Sequence, residues 1–536
     1  MPFIKNPVLP GFHPDPAMIR VGDDYYLATS TFEWFPGVAV YHSRDLVHWE
    51  FAAYPLTRVS QLELRGVPSS CGVFAPCLSY CDGLFYLVYT VVKTESVFQD
   101  TDNYLVTAPA IEGPWSEPIY LNSTGFDPSL FHDADGRKWL VNRDCDTRLY
   151  QANRGGILLR EYDAAQKRLV GPEYRIYRSE KIIGAEGPHL YRHSGWYYLV
   201  LAEGGTDTNH VVTVARSHSL TGPYDCDPET PMLTSQDDPW NPLQKAGHGS
   251  LVETQDGQWY LAHLVGRPLP SKGTCILGRE TAIQKVEWTE DGWLRLSGGG
   301  RTPRQLVEAP ALPPHPVPPL PERDDFDREA LGYPYQTLRV PLGETVLTLR
   351  ERPGFLRLYG RDSLHSKYEQ ALVARRQQAF CFEAETEVEF EPENYHQMAG
   401  LICLYDTESF YYLYLTRDEA GQKRLNVMQS VLGAVSYPLG AGIAVADGAM
   451  VLRAMVRYDV LRFGYEQAGA AHWLEPRFDY AVLSDDYAIA RNHWRFTGAF
   501  VGLCCQDCYD HRAHADFDYF LYRETDKAND MQEAEN

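Results

Sequence analysis

No run of 18 apolar residues occurs in this 536-residue chain, which excludes a helix of ordinary length crossing a membrane. The start, Met1-Pro2-Phe3-Ile4-Lys5-Asn6-Pro7, has no apolar signal core, so a soluble, cytoplasmic protein with no membrane partner is expected. Positive charge is scarce: 49 Lys and Arg stand against 72 Asp and Glu, a net charge of −23. Neutralising a phosphate backbone needs clustered Lys and Arg, so no nucleic-acid partner is expected. The 11 cysteines are odd in number and scattered, and neither tight group (Cys71, Cys77, Cys81 and Cys504, Cys505, Cys508) contains paired CxxC elements. They read as small buried apolar side chains, not as a disulfide frame or a zinc site. Helical periodicity is scarce as well.

What is abundant is aromatic side chains, with 35 Tyr and 11 Trp, and they recur in a pattern. Five strand cores read Tyr25-Tyr26-Leu27, Phe85-Tyr86-Leu87, Lys138-Trp139-Leu140, Tyr197-Tyr198-Leu199 and Trp259-Tyr260-Leu261, their middle residues 60, 53, 59 and 62 positions apart. Each follows a turn signal: Gly22-Asp23, Asp82-Gly83, Asp135-Gly136, Ser194-Gly195 and Asp256-Gly257. Repetition at this period predicts radial stacking of small antiparallel sheets, each burying its faces against its neighbours. A five-bladed β-propeller over residues 1–302 accommodates all five units. Upstream of the strand cores sit Asp15-Pro16, Ala75-Pro76, Asp127-Pro128, Glu186-Gly187-Pro188 and Gly247-His248-Gly249. Innermost strands face one axis, so Asp15, Asp127 and Glu186 are expected to converge there with His248 beside them.

A second domain follows a composition break. Residues 303–322 are proline-rich, an extended and semi-rigid composition that spaces two folded bodies. Beyond it, Phe382-Glu383-Ala384-Glu385-Thr386-Glu387-Val388-Glu389-Phe390 alternates strictly, as a half-buried strand does. Residues 410–415 and 425–428 flank a turn at 418–421 and predict a hairpin. With further strand patterns at 451–456, 496–505 and 517–521, residues 323–524 are read as an all-β sandwich, and 525–536 as an acidic, frayed tail.

Three acids at one axis carry a chemistry. Cleaving a glycosidic bond takes a carboxylic acid that protonates the leaving oxygen and a carboxylate that activates water or attacks the sugar. A third carboxylate helps keep the acid protonated, since like charges raise each other's pKa. A lone Asp-Pro more often caps a turn than catalyses, but three acids at matching repeat positions are less easily assigned to turns. His248 taken alone fits core filler, a metal or water ligand, or a substrate contact. A non-catalytic sugar-binding propeller is the alternative of a different class, disfavoured because crowding three carboxylates costs stability.

The motifs Pro10-Gly11-Phe12-His13-Pro14-Asp15-Pro16, Thr31-Phe32-Glu33-Trp34-Phe35-Pro36-Gly37-Val38, Gly125-Phe126-Asp127-Pro128-Ser129-Leu130-Phe131, Ala185-Glu186-Gly187-Pro188-His189 and Leu277-Gly278-Arg279-Glu280-Thr281 together resemble glycoside hydrolase family 43, in its β-xylosidase subgroup. The resemblance runs nearly end to end. It implies a propeller with a jelly-roll sandwich and an exo-acting hydrolase that inverts the anomeric carbon, releasing xylose from the non-reducing end of β-1,4-xylo-oligosaccharides. An α-L-arabinofuranosidase, or an enzyme with both activities, would use the same residues. The resemblance makes Asp15 the general base, Glu186 the general acid and Asp127 the residue that tunes and orients the acid. Arg279 is expected to contact a sugar hydroxyl and keep Asp127 ionised. Phe32 and Phe74 would line the sugar site, and Phe500 would reach it from a sandwich loop. No cofactor is implied as required, although a calcium ion near His248 at the propeller axis is conceivable in such proteins. Small xylo- or arabino-oligosaccharides are the implied partners, with assembly into homodimers or homotetramers. Two departures stand out: Phe74 replaces a Trp, and in Val141-Asn142-Arg143-Asp144-Cys145-Asp146 the cysteine stands where an indole is expected. Losing that indole removes a stacking platform and leaves room or charge at the leaving-group side.

Overall fold

The structure, a computed structural model, describes residues 2–95, 98–148, 150, 155–179 and 181–525. The tail from residue 526 onward and residues 151–154, in the loop leading to Gly155, lie outside the described residues. The chain divides into two compact units, one of Met1–Arg267 with Arg279–Val317 and the other of Pro268–Gly278 with Pro318–Asn536.

The first unit is a five-bladed β-propeller. Each blade is an antiparallel sheet whose strands lie in chain order, and their inner strands are Ala17–Val21, Gly72–Cys81, Ser129–His132, Glu186–His193 and Gln244–Glu253. Each inner strand touches the next around the ring, and the last touches the first. Ser250 seals that closure: its hydroxyl accepts from the Met18 N–H at 2.9 Å and donates to the Pro16 carbonyl at 2.9 Å.

The five aromatic-Leu cores fall in the second strand of the five blades, at Asp24–Thr29, Leu84–Val92, Lys138–Arg143, Trp196–Glu203 and Trp259–Gly266. Leu27, Leu87, Leu140, Leu199 and Leu261 are all buried, which accounts for the repeat physically: each leucine fills the space between neighbouring sheets, worth about 1.5–3 kcal/mol apiece. The turns between first and second strands are tight. At Asp82-Gly83 and Ser194-Gly195 both residues have positive φ (53° and 78°, 47° and 83°), the mirror-image turn that suits the right-handed twist of a hairpin.

A second regularity recurs in each inner strand or just ahead of it. Asp15, Ala75, Asp127, Gly187 and His248 have φ of 55°, 32°, 54°, 55° and 51°, and the first four precede a proline. Four of the five are not glycine, and a left-handed residue with a Cβ costs roughly 1–2 kcal/mol. The matching position in the fourth blade is thus Gly187, and Glu186 stands one residue ahead of it, in register with Phe74, Phe126 and Gly247. Pairing in that blade shifts between Glu186 and His189, so a bulge re-aims the glutamate.

The proline-rich segment differs from a free spacer. Leu306–Glu308 pairs antiparallel with Phe3–Lys5, and the His315 N–H donates to Asp45 at 2.8 Å, so residues up to Val317 pack with the propeller.

The second unit is a β-sandwich. One sheet contains Cys381–Glu389, Met450–Arg457 and Val460–Gln467, and the other Ala371–Arg376, Phe500–Asp507, Gln397–Asp406, Ser409–Arg417 and Lys423–Val431. Their inner faces share a core that includes Phe382, Leu452, Phe463, Leu401, Leu413 and Leu503. Burial alternates along Cys381–Glu389, and the acids of its other face are ion-paired, Glu383 with Arg457 and Glu389 with Arg352. Among the described residues the helical elements are Tyr480–Val482 and Asp485–Ile489, and no helix is long and apolar enough to cross a membrane.

Candidate active site

Asp15 opens the site. It lies in the chain just ahead of the first inner strand, is 5 % exposed, and its left-handed backbone is bracketed by Pro14 and Pro16. The Ser30 hydroxyl donates to Asp15 Oδ2 at 2.6 Å, and Arg279 Nη1 donates to Oδ1 at 3.1 Å. His248 Nδ1 is 3.6 Å from the same Oδ1. Burial alone would raise the Asp15 pKa, but Arg279, His248 and Ser30 outweigh it and hold the carboxyl below the usual range. Ser30 does double duty, since its oxygen also accepts from the Ala75 N–H at 2.8 Å.

Asp127 has the opposite environment. Burial, then repulsion from Glu186 and Asp15, pushes its carboxyl well above the usual range, against Arg143 and the Gly187 N–H, which donates to Oδ2 at 2.9 Å. That bond ties Asp127 to the residue after Glu186. Gly187 is required there: at φ 55° an added Cβ would meet three His248 ring atoms at 2.9–3.0 Å. Burial holds His248 below the ordinary imidazole range although Asp15 and Glu186 oppose it, which favours the neutral ring.

Glu186 is bonded by Arg143, whose Nη1 donates to Oε2. Arg143 ends the strand Lys138–Arg143, its N–H donating to the Phe126 carbonyl at 3.0 Å and its guanidinium lying 4.7 Å from the Phe126 ring. A chain of rings connects the two halves of the site. Phe32 lies 4.6 Å from Phe74, Phe74 lies 6.2 Å from Phe126, and Arg279 sits 5.3 Å from Phe32. An aromatic arc therefore runs from the cation on Asp15 to the cation on Glu186. Phe32 is 2 % exposed, while Phe74 and Phe126 are half-buried and offer more ring surface.

The geometry corrects two expectations, for Arg279 and for Phe500. Arg279 pairs with Asp15, and also reaches Thr206 Oγ1 at 3.3 Å, while the cation acting on Asp127 is Arg143. The reason is topological: Arg279 starts a strand of the fifth blade, which closes against the first, where Asp15 lies. Asp127 is accordingly pushed toward its neutral form. Phe500 is no loop residue: it begins the strand Phe500–Asp507, paired with Arg376 and Leu404, and its side chain is fully buried. Calcium takes six to eight oxygen ligands. His248 faces Asp15, whose oxygens are engaged by Ser30 and Arg279, and among the described residues no three His, Cys, Asp or Glu side chains are grouped to hold a metal ion. These side chains do not fit a calcium site.

Ser30 and Thr206 carry no signal in the sequence that would single them out, Phe126 appeared only as part of the motif around Asp127, and Arg143 was visible only as a break in a motif. Cys145 lies beside them, its thiol pushed up to about 11 by burial and 3.8 Å from Gln99 Oε1.

Three carboxyls at one end of a propeller axis, one held ionised by a guanidinium, one pushed toward protonation and one on the open edge, define a site for acid–base cleavage of a glycosidic bond. The chain belongs to glycosyl hydrolases family 43, whose model matches residues 4–294, and residues 323–523 match the beta xylosidase C-terminal concanavalin A-like domain. It is 46 % identical to a "Xylosidase/arabinosidase 43B" of Humicola insolens, over 99 % of this chain and 100 % of that one. It is also 46 % identical to a "Beta-xylosidase" of Bacillus subtilis (strain 168), over 97 % and 99 %. The crystal structure of a xylan beta-1,4-xylosidase from Bacillus halodurans C-125 superposes with a TM-score of 0.95 at 54 % identity, covering 97 % of this chain and 100 % of that one.

Proposed function

We propose that the protein is an exo-acting β-xylosidase that releases xylose from the non-reducing end of β-1,4-xylo-oligosaccharides with inversion. The observation that carries the roles is the separate wiring of two carboxyls, Asp15 to Arg279 and Ser30, Glu186 to Arg143. Asp15, kept ionised, takes a proton from water as that oxygen bonds to the anomeric carbon. Glu186, as the general acid, gives its proton to the glycosidic oxygen as the bond to the leaving sugar breaks. Attack and departure on opposite faces invert the configuration, and solvent restores both protonation states. Asp127 fixes the backbone beside Glu186 by accepting from the Gly187 N–H. Arg279, against both Asp15 and the Phe32 ring, is placed to take a sugar hydroxyl. The names of the relatives support a xyloside as substrate, and one of them includes arabinosides.

The test is kcat/KM for aryl β-D-xylopyranoside and aryl α-L-arabinofuranoside measured side by side, with NMR of the first-formed anomer. A clear lead for the xyloside with initial α-xylose is expected. A lead for the arabinoside would move the function to side-chain removal, retention would end the single-displacement reading, and wild-type rates in Asp15→Ala would remove the base.

A further inference from the structure

We infer that Arg143 selects the leaving group: it binds a carboxylate on the departing sugar, so the enzyme prefers xylo-oligosaccharides whose leaving-group residue is acidic. The inference rests on Glu186 being the general acid. An acid must touch the glycosidic oxygen, so whatever bonds its carboxyl borders the sugar beyond that oxygen. Arg143 is that group, while the other guanidinium of the site, Arg279, is committed to Asp15.

The two cations differ in what they have left to give. A guanidinium has five N–H donors in a plane. The Arg279 side chain is 5 % exposed, whereas that of Arg143 is 29 % exposed. Among the described residues Glu186 is the one acceptor on the Arg143 guanidinium. Neighbouring acids do not compete for it: Asp144 pairs with Arg175 at 2.7 Å and Asp146 with Arg148 at 2.6 Å. Phe126 beneath the guanidinium and the Arg143 N–H bond to the Phe126 carbonyl fix its position, which leaves an open edge of N–H groups with the planar fork that recognises carboxylates.

At residues 143–146 the segment carries no aromatic side chain for a neutral sugar. Cys145 occupies the position where the family resemblance expects an indole, so the segment offers charge where stacking would be anticipated. The chain's net charge of −23 does not oppose this, because exposed charges farther than about 8–10 Å are largely screened at ordinary ionic strength. When a substrate carboxylate takes the guanidinium, the hydrogen bond passes from Glu186 to the ligand, and Glu186 turns to the glycosidic oxygen. Acidic and neutral substrates then differ on the leaving-group side alone.

The carboxylate could belong to an aldonic acid at the oxidised reducing end or to a uronic acid carried by the leaving xylose, and two substrates separate these sources. The full-length enzyme is assayed at low salt on xylobiose, on xylobionate and on xylobiose bearing a uronosyl group on its reducing-end residue. Wild type is expected to favour at least one acidic substrate over xylobiose by roughly tenfold in kcat/KM, mainly through KM, with the preference shrinking as salt rises. Arg143→Met should erase the ratio and Arg143→Lys restore part of it. Because each ratio is taken within one preparation, it does not depend on how much of a variant folds. Equal treatment of acidic and neutral substrates by wild type, or a preference that survives in Arg143→Met, overturns the inference. Failure to turn over xylobiose and aryl β-D-xyloside would instead count against the function proposed above.

Discussion

Ser30→Ala tests the wiring of the base in one substitution. The Ser30 side chain is fully buried; its hydroxyl donates to Asp15 at 2.6 Å and accepts from the Ala75 N–H at 2.8 Å. A hydrogen bond to a charged group contributes about 1.5–3 kcal/mol, and one pKa unit corresponds to about 1.4 kcal/mol. Losing the donor should therefore raise the Asp15 pKa, with Arg279 still in place. The base must be ionised, so the acid limb of the kcat/KM profile should move to higher pH, while the rate well above the limb falls far less. Stability carries a second signature. The Ala75 N–H is left without its acceptor, at about 1–3 kcal/mol in urea unfolding. Because Asp15 is held low in the folded state, its contribution is complete above the ordinary carboxylate range and is lost as pH falls through the folded value. The part of the defect that comes from Asp15 should accordingly shrink in acid. A destabilised variant with an unmoved acid limb would refute the assignment of Asp15 as the base wired through Ser30.

Gly187→Ala is expected to lower kcat more than tenfold and to destabilise by more than the roughly 1–2 kcal/mol of left-handed strain, because the new methyl meets the His248 ring. Gly195→Ala, at φ 83° with nothing within 4 Å, supplies the control with strain alone, and equal losses in the two would deny the contact. Asp127→Asn should lose activity yet gain stability. The folded Asp127 resists ionisation, so wild-type stability declines as pH rises from the unfolded carboxyl pKa, about 4, through the raised folded value. The asparagine variant should pull ahead across that window in urea melts, and a constant difference from pH 4 to pH 8 would contradict the direction of the shift.

The propeller was legible because its signal is periodic: a buried Leu directly after an aromatic residue, about 60 residues apart, survives as a pattern in a single chain. The strand Cys381–Glu389 was legible for the same reason at period two. The register of Glu186 was not, since one extra residue in a bulge leaves no compositional trace. Ser30 and Thr206 are ordinary loop hydroxyls until the fold brings them to Asp15 and Arg279. Counting motifs could not say which carboxylate Arg279 would meet, because that follows from which blades are neighbours. Phe500 was assigned to a loop although residues 496–505 already carried a strand pattern; the apolar run, which begins the strand Phe500–Asp507, was the better guide. The prolines of residues 303–317 concealed the short pairing of Leu306–Glu308 with the chain start.

The five left-handed residues at matching positions of the inner strands behave as seats in a turret whose occupants are Asp, Ala, Asp, Gly and His on one shared backbone conformation. Since the seat is set by turn, proline and neighbouring blade and not by the side chain, the chemistry at the axis can be exchanged without redrawing the fold. Ala75 is the seat whose methyl contributes no polar group, and Asn and Asp are the residues that tolerate its conformation best. A fourth functional group could therefore be installed there at small conformational cost, which makes the ring a natural point of divergence for catalysts built on this architecture.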